Sequence, residues 1–330
     1  MRRRDFITLL GGTAAAWPLA VSAQQMQMRR VAVLTYFNAN DPAGQVFLTA
    51  FKRRLTELSW TDGQNVTMIY KFTDGSPENV RVAAGELVET APDVIFAASN
   101  VSVGPLLQAT KTIPIIFTQV SDPVGSGFVA SLARPGGNLT GFQGYEPGIG
   151  GKWLELLREI APGVRRVAVI HNPNISANVA ILRAAENAAI SLDVAVTAAG
   201  AGDAADIERI LTRFAQQSNS GVIVTPSPLT NTKDKRELMI ALADRLSLPA
   251  IYPSRLSATS GELISYVYDA VTQWQGAATY VDRVLRGAKP SELPVQAPTK
   301  YEMIINLKTA KALGLTIPES FLLRADKVIE

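Results

Sequence analysis

The run RRVAV at residues 29–33 returns as RRVAV at residues 165–169, and this repeat decides the fold. Each copy begins an apolar run of the kind found in buried parallel strands. Two further strand-like runs recur in the same order along the chain, at similar offsets. They are DVIFAAS at 93–99 with GVIVTPS at 221–227, and TIPIIF at 112–117 with SLPAIY at 247–252. The preserved order predicts a duplicated α/β chain.

Helical patterns lie between these strands, as expected where parallel strands are joined by crossover helices. After the first strand, for example, apolar residues recur at helical spacing at Phe47, Phe51, Leu55 and Leu58. The predicted fold class is therefore α/β, with two doubly wound Rossmann-like lobes joined by a multi-strand hinge. A single (βα)₈ barrel made of two half-barrels is the alternative.

Glycine and proline concentrate between residues 135 and 151, which predicts a lobe boundary there. The tail reads as a last strand at 261–266, a helix at 270–286 and an extended linker at 290–298. Such a tail is expected to cross between the lobes. The predicted N-terminal lobe comprises residues 29–145 plus about 268–292, and the C-terminal lobe comprises 146–267 plus about 293–330.

The first 23 residues have the pattern of an export signal. Arginines, including the pair Arg3 and Arg4, precede an apolar run, and small residues end the segment at Ala23, where cleavage is predicted. The arginine pair followed closely by Phe6 resembles the twin-arginine (Tat) pattern. An uncleaved anchor is the alternative, but residues 7–23 are shorter than the roughly 20 apolar residues of a span. The sequence predicts a periplasmic protein of a Gram-negative cell.

Composition narrows the classes of function. The chain has 330 residues, of which 47% are hydrophobic and 18% charged, as expected for a globular protein with large cores. It contains no cysteine, which excludes disulfides and lipid attachment at a cysteine after the cleavage site. The formal net charge is +3, and the signal segment carries part of it. No basic stripe suited to nucleic acid is present.

Polar and aromatic residues follow the predicted strands, where ligands bind in open parallel α/β sheets. The candidate ligand-binding residues are Phe37, Asn38, Ser99, Asn100, Asp122, Asn172, Ser176, Ser227, Tyr266 and Asp269. Hydroxyls, amides, aromatic rings and two carboxylates suit a small, polar, zwitterionic molecule. Several also have a structural alternative: Asp122 as a turn residue or helix cap, Asp269 and Ser176 as helix caps, and Tyr266 as a core aromatic with its hydroxyl at the sheet edge.

Catalytic and cofactor motifs are sparse. His171 is the only histidine, and no G-x-S-x-G motif is present. With one histidine and no cysteine, a dedicated zinc or copper site is not expected. Residues 125–130 match G-x-G-x-x-A, but residues 121–123 separate this run from its strand. We expect no cofactor, no metal and no catalytic residue.

Longer motifs then resemble one family. They are SDPVG at 121–125, SLARPGGNLTG at 131–141, PTKYE at 298–302 and INLKTAKALGL at 305–315. With them the chain resembles the ABC-transporter substrate-binding family that includes tryptophan- and tyrosine-binding members and has the type I periplasmic binding fold. The resemblance covers about residues 29–330.

This resemblance implies two hinged lobes, a ligand in the cleft and delivery to an inner-membrane permease with its ATPase. It implies that Asp122 meets the amino group of the ligand. The residues implied for the second-lobe wall are Asn172, Ser176, Tyr266 and Asp269. The chain departs from the family at Ser99-Asn100, where members often carry Gly-Thr, and at Val267, where many carry glycine. An aromatic or branched amino acid is the expected ligand.

Three functions follow from these observations. The first is a monomeric periplasmic solute-binding component of an ABC importer, without enzymatic activity. The second is an exported α/β enzyme that uses Asp122 or Asp269 as acid or base. The third is a sensory protein of the same fold that presents its ligand to a receptor.

Overall fold

The computed structural model describes residues 28–253 and 261–330; the predicted signal segment lies outside these ranges. The first lobe is built on a five-stranded parallel sheet with the order β2-β1-β3-β4-β5. Its strands are β1 (Arg29–Thr35), β2 (Val66–Phe72), β3 (Val94–Ala98), β4 (Ile115–Val120) and β5 (Leu139–Gln143). Its early helices are α1 (Pro42–Glu57), α2 (Pro77–Glu89) and α3 (Asn100–Ala109).

The second lobe contains a seven-stranded sheet with the order β12-β11-β10-β9-β8-β6-β7. Its strands are β6 (Arg166–His171), β7 (Ala195–Gly200), β8 (Ser220–Val224), β9 (Ala250–Tyr252), β10 (Ile264–Tyr268), β11 (Tyr301–Asn306) and β12 (Lys327–Ile329). Its helices are α4 (Ile149–Ile160), α5 (Ser176–Leu192), α6 (Ala204–Ala215), α7 (Pro228–Asn231), α8 (Lys233–Arg245), α10 (Leu307–Ala312) and α11 (Glu319–Leu322). The β10–β11 pair is antiparallel and the other pairs are parallel.

Two separate open sheets confirm the predicted two-lobed α/β fold, and the (βα)₈ barrel alternative is wrong. Both RRVAV runs form strands with fully buried apolar residues, β1 in one sheet and β6 in the other. Helices cover both faces of each sheet, so the two sheets bury four apolar clusters. This double coverage explains why the strands read as continuous apolar runs instead of alternating ones.

The chain passes between the lobes three times. Residues 144–148 connect β5 to α4, and Asp269 connects β10 to helix α9 (Ala270–Leu285), which packs against α1 and β4 of the first lobe. A 3₁₀ turn follows at Pro290–Glu292, where an extended linker was predicted. Gln296 then pairs with β5, before the chain returns to the second sheet as β11.

Helix α9 is anchored in the first lobe by aromatic packing. The fully buried ring of Trp274 lies 4.7 Å from Phe96 and 6.3 Å from Phe51, edge to face in both cases. Burying aromatic rings in such a cluster stabilises a fold by several kcal/mol, on the order of the 3–5 kcal/mol lost when one is truncated to alanine. A segment from the C-terminal half of the chain is thus part of the first-lobe core.

Within residues 28–253 and 261–330, no helix is long and apolar enough to cross a membrane.

Candidate ligand-binding cleft

A cavity of about 370 Å³ lies between the lobes. Its first-lobe lining includes Tyr36, Phe37, Asp41, Phe47, Ser99, Asn100, Gln119 and Ser121. Its second-lobe lining includes Ile175, Pro226, Ser227, Pro228 and Pro253, and the crossing segments add Tyr145, Val267, Tyr268 and Asp269. The lining combines aromatic rings with a few polar groups, which is the usual composition of a small-molecule site.

Aromatic side chains from the end of β1 and from α1 form one wall of this cavity. Phe37 is 2% exposed. Its ring packs closely on α1 at Gly44, where an added Cβ would lie only 2.1 Å from the ring. The rings of Phe37 and Phe47 each lie 5.8 Å from the ring of Trp274 in the core beneath. The wall is therefore a rigid apolar surface on which a flat ligand group can pack.

The first-lobe edge, which we define as Ser99, Asn100, Gln119 and Ser121, follows strands β3 and β4. Asn100 ties its two halves together: its Nδ2 donates to the Ser121 carbonyl at 2.7 Å, and its Oδ1 accepts from the Ser121 amide at 2.8 Å. Helix α3 begins here, and among the described residues no side chain caps it. Its first amide groups and the positive end of its dipole therefore face the cleft.

The second-lobe edge, which we define as Asn172, Asn178, Ser227 and Thr230, follows strands β6 and β8. The buried Asn178 accepts from the Asn172 amide at 3.1 Å and donates to the Pro226 carbonyl at 3.0 Å. The Thr230 hydroxyl accepts from the Ser227 amide at 2.9 Å and lies 3.2 Å from the Ser227 hydroxyl. The polar groups of this edge thus bind one another.

Direct contacts join the lobes across the cleft. The Ser126 and Ser176 hydroxyls are 3.1 Å apart, and the Lys233 amide donates to Asp41 Oδ2 at 3.3 Å. Near the second contact, Gly75 of the first lobe packs tightly against Pro228 of the second lobe. A Cβ added at Gly75 would lie only 2.3 Å from the Pro228 side chain. The lobes are therefore closed over the cavity.

Two carboxylates line the cavity, and both also cap helices. Asp269 accepts from the amides of Val271 and Thr272 at the start of α9, while Asp41 accepts from the amides of Ala43 and Gly44 in α1. Asp269 therefore caps α9, as the structural alternative predicts, and it also lines the cavity. Lys327 also lines the cavity, so the two carboxylates outnumber the one cationic side chain of the lining, and this excess of negative charge suits a cationic group on a ligand.

Asp122 lies outside the cavity lining. Its Oδ1 accepts from the Gly125 amide at 2.9 Å, and a Cβ added at Gly125 would lie 2.1 Å from its Oδ2. The turn alternative describes this geometry, and the contact of Asp122 with an amino group stays a prediction. Residues 122–130 form turns without a helix, so the G-x-G-x-x-A letters lack the helix that a dinucleotide site needs.

The structure brings together half of the predicted ligand residues. Phe37, Ser99, Asn100, Ser227 and Asp269 line the cavity. The predicted residues outside the lining are Asn38, Asp122, Asn172, Ser176 and Tyr266. His171 is also outside it: the residue is buried, and its Nδ1 lies 3.1 Å from the Val169 carbonyl. Among the described residues, no group of three histidines or carboxylates is positioned for a metal ion.

The sequence predicts that the last strand ends at Tyr266, whereas β10 runs on to Tyr268. The ring of Tyr266 instead stacks on Tyr301 at 5.3 Å, and its carbonyl accepts from the Trp153 indole. Tyr268 is the residue that reaches the cavity. Burial raises the pKa of its hydroxyl, so it stays protonated at neutral pH.

Several lining residues are not among the predicted ligand-binding residues. Gln119 follows a predicted strand, and this position is the signal that identifies it; the candidate in this segment is Asp122, three residues further on, because it carries a charge. Asp41 precedes Pro42, a pattern that predicts the start of a helix, and Asp41 is the N-cap of α1. Tyr145, whose hydroxyl donates to the Pro253 carbonyl at 2.9 Å, lies in a crossing segment that no local pattern marks as part of a site.

Comparison with known proteins identifies relatives. The profile of the family described as "ABC transporter substrate binding protein" matches residues 31–329. A curated relative, the tyrosine-binding protein of Clostridioides difficile strain R20291, is 26% identical over 265 residues, covering 80% of this chain and 75% of the relative.

Two solved structures have the same fold. A conserved domain protein from Vibrio cholerae is 28% identical, with a TM-score of 0.83 over 91% of this chain and 99% of that chain. The ABC domain in complex with L-Trp from Streptococcus pneumonia is 24% identical, with a TM-score of 0.82 and the same coverage.

Proposed function

Because the chain belongs to the ABC transporter substrate-binding protein family, we propose that it captures an aromatic amino acid in the cleft between its lobes. The mature protein works in the periplasm as a monomer and delivers the ligand unchanged to an inner-membrane permease. Export by the signal segment at residues 1–23, with cleavage after Ala23, is part of this proposal.

The observation that carries the proposal is a cavity between contacting lobes, with two chemically different sides. The rings of Phe37 and Phe47 form an apolar side, while the uncapped start of α3 beside Ser99 forms a polar side. An aromatic amino acid has the same division, with a ring at one end and charged groups at the other. A volume of about 370 Å³ lies within the range of sites that hold small molecules.

Charge supports a zwitterionic ligand. The start of α3 favours an anion such as the α-carboxylate, and the carboxylate of Asp269 favours the α-ammonium group. In this proposal Asp269 takes the electrostatic role that sequence analysis assigned to Asp122. Two of the three named relatives have amino acids of the proposed kind as ligands: one is a tyrosine-binding protein and another is in complex with L-Trp.

The binding energy required is within reach of these contacts. A micromolar dissociation constant corresponds to about −8 kcal/mol. Hydrogen bonds to charged groups contribute about 1.5–3 kcal/mol each, and burial of an apolar ring contributes at about 25 cal/mol per Å². Hinge closure of the lobes over the ligand then presents one rigid shape to the permease.

Calorimetry of residues 24–330 with L-tryptophan, L-tyrosine, L-leucine and L-glutamate tests the ligand class. We expect the aromatic amino acids to bind at least tenfold more tightly than the other two. A bound ligand at 100 times its dissociation constant is expected to raise the free energy of unfolding by about 2.7 kcal/mol. Chromatography of the recovered ligand checks that it is unchanged. Equal affinity for all four amino acids, or steady turnover of any of them, would contradict the proposal.

Cell fractionation tests the export route. Replacing Arg3 and Arg4 together by lysine should retain the protein in the cytoplasm, because the Tat pattern depends on the arginine pair. The matched control replaces Arg2 alone. Periplasmic accumulation of the double variant would assign export to the general secretory route.

A further inference from the structure

Two residues of the first-lobe edge hold unusual backbone conformations. Ser99 has φ +84° and ψ 159°, and Gln119 has φ +56°. They are neighbours on adjacent strands, because Ala98 pairs with Thr118 in the β3–β4 register and each lies one position further on. The Ser99 amide donates to the Thr118 carbonyl at 2.9 Å and fixes this arrangement.

The same two residues hold polar atoms without partners. Among the described residues, no group hydrogen-bonds to Ser99 Oγ or Gln119 Oε1, and both atoms are buried. Ser99 as a whole is only 9% exposed. Both residues line the cavity, so these buried atoms lie beside the ligand space.

Strain and missing hydrogen bonds each destabilise the protein. The conformation of Ser99 is almost restricted to glycine, and a glutamine in the left-handed region is uncommon. A buried polar atom without a partner loses its interaction with water and gains nothing in return. A bound molecule that hydrogen-bonds to both atoms would offset the free energy lost to strain and to missing hydrogen bonds at these two adjacent positions.

We infer that Ser99 and Gln119 form the head-group subsite of the cleft: Ser99 Oγ and the first amides of α3 bind the α-carboxylate, and Gln119 Oε1 accepts from the α-ammonium group. This assignment rests on the proposed function. Adjacent strands lie about 4.8 Å apart, so neighbouring positions can serve two groups attached to one carbon atom.

The surroundings of Gln119 support the ammonium side. Gly144 lies between the backbone of Gln119 and the side chain of Tyr268. A Cβ added at Gly144 would be 3.4 Å from the Gln119 carbonyl carbon and 3.1 Å from the Tyr268 hydroxyl. Gln119 thus lies close to the end of β10, where Asp269 follows. Asp269 supplies the charge and Gln119 supplies a neutral acceptor, while an ammonium group has three hydrogens to share.

The subsite makes selectivity depend on both charged groups of the ligand. A ligand without the carboxylate leaves Ser99 Oγ unpaired, and one without the ammonium leaves Gln119 Oε1 unpaired. Sites with unpaired buried polar groups discriminate strongly against ligands that lack the matching group. The subsite therefore reads the amino-acid head group, whatever side chain the ligand carries.

The experiment measures the dissociation constants of L-tryptophan, tryptamine and indole-3-propionate, which share the indole ring. Tryptamine lacks the carboxylate, and indole-3-propionate lacks the ammonium group. The proteins are the wild type, Ser99→Ala and Gln119→Met. Ser99→Ala should reduce the preference for L-tryptophan over tryptamine roughly ten- to hundredfold, while its preference over indole-3-propionate stays within threefold. Gln119→Met should reduce the preference for L-tryptophan over indole-3-propionate roughly ten- to hundredfold, while its preference over tryptamine stays within threefold.

A second variant separates recognition from structural disturbance. Ser99→Gly relieves the backbone strain, so its melting temperature without ligand should rise. Its affinity for L-tryptophan should nevertheless fall at least tenfold. A residue needed only for folding would not combine higher stability with weaker binding.

The outcomes distinguish the inference from the function on which it rests. If the wild type binds L-tryptophan but both preferences are unchanged in the variants, the subsite is wrong and the proposed function stands. If the wild type binds neither L-tryptophan nor L-tyrosine, both fail.

Discussion

The two lobes present different chemistry at the carboxyl ends of their strands. At the first-lobe edge, Ser99 and Gln119 combine positive φ values with buried, unpartnered polar atoms. At the second-lobe edge, Asn178 and Thr230 satisfy the neighbouring polar groups internally. None of the four residues of the second-lobe edge has a positive φ value in the described structure.

This difference separates two roles that a repeated fold can divide between its halves. A strained and unsatisfied edge gains hydrogen bonds when a ligand arrives, whereas a satisfied edge gains little. The first lobe is thus suited to recognise the ligand, and the second to close over it as a preformed cover. The account predicts that changes at the first-lobe edge alter affinity and that changes at the second-lobe edge alter stability.

The largest effect is expected from a carboxylate at the first-lobe edge. Ser99→Asp keeps a residue favoured at a helix N-cap but places a negative charge beside the α-carboxylate of the ligand. Like charges in a binding site cost several kcal/mol, so affinity for L-tryptophan should fall at least a hundredfold in calorimetry. The matched control Ser227→Asp, at the cap of α7, should lose less than tenfold. Equal losses would erase the contrast between the lobes.

A large stability effect is expected at the second-lobe edge. Asn178→Ala removes two hydrogen bonds and leaves the Asn172 amide and the Pro226 carbonyl unpaired. Urea denaturation should show a free energy of unfolding lower by about 2–4 kcal/mol. Affinity for L-tryptophan, measured where the variant is folded, should stay within threefold. The exposed Asn174→Ala serves as control, and an Asn178→Ala variant of normal stability would contradict the account.

Alkaline pH should destabilise the cluster in which the ring of Tyr145 contacts the rings of Tyr268 and Tyr301. Burial raises the pKa values of Tyr145 and Tyr268, and it raises that of Tyr301 to about 12. Unfolded tyrosines ionise near pH 10, so the folded protein keeps these protons longer than the unfolded chain. Their contribution to stability is therefore complete below pH 10 and is lost as the pH rises from 10 towards 12.

Melting temperatures measured between pH 9 and pH 12 check this prediction. They should fall above pH 10, and the fall should be smaller in Tyr301→Phe, which removes one of the ionising hydroxyls. The same slope in both proteins would exclude a contribution from Tyr301.

The smallest effect is expected at the contact that joins the closed lobes. The Ser126 and Ser176 hydroxyls are 3.1 Å apart at the surface. An intramolecular hydrogen bond contributes about 0.5–1.5 kcal/mol, and water competes at an exposed position. Ser126→Ala and Ser176→Ala should each weaken L-tryptophan binding two- to fivefold. The Ser126 hydroxyl also accepts from Asn100 Nδ2 at 3.5 Å, so the double variant should match Ser126→Ala, which already removes the shared contact. Additive losses would show that the hydroxyls act separately.

Much of the fold could be predicted because it is written in local patterns. The two RRVAV runs form β1 and β6, since apolar residues of this kind suit a strand covered on both faces. Helix α9 begins at Ala270 after the capping Asp269, as expected. The antiparallel β11, by contrast, depends on a return of the chain from the other lobe, which no local pattern reveals.

The site was harder to predict for two physical reasons. An error of two residues at the end of β10 selected Tyr266 instead of Tyr268, and only the latter reaches the cavity. Charge favoured Asp122, whose carboxylate is used by its own turn, over the neutral Gln119. Ser99 is predicted from its place after β3, whereas Gln119 is marked by backbone strain and a missing hydrogen bond, and neither property can be read from residue types alone.

A crystal structure of residues 24–330 with bound L-tryptophan tests the division of roles most directly. The account predicts that the α-carboxylate lies within hydrogen-bond distance of Ser99 Oγ and the first amides of α3. It also predicts the ammonium group near Gln119 and the indole ring against Phe37 and Phe47. A ligand turned the other way, with its carboxylate held by Asn178 and Ser227 of the second lobe, would contradict it.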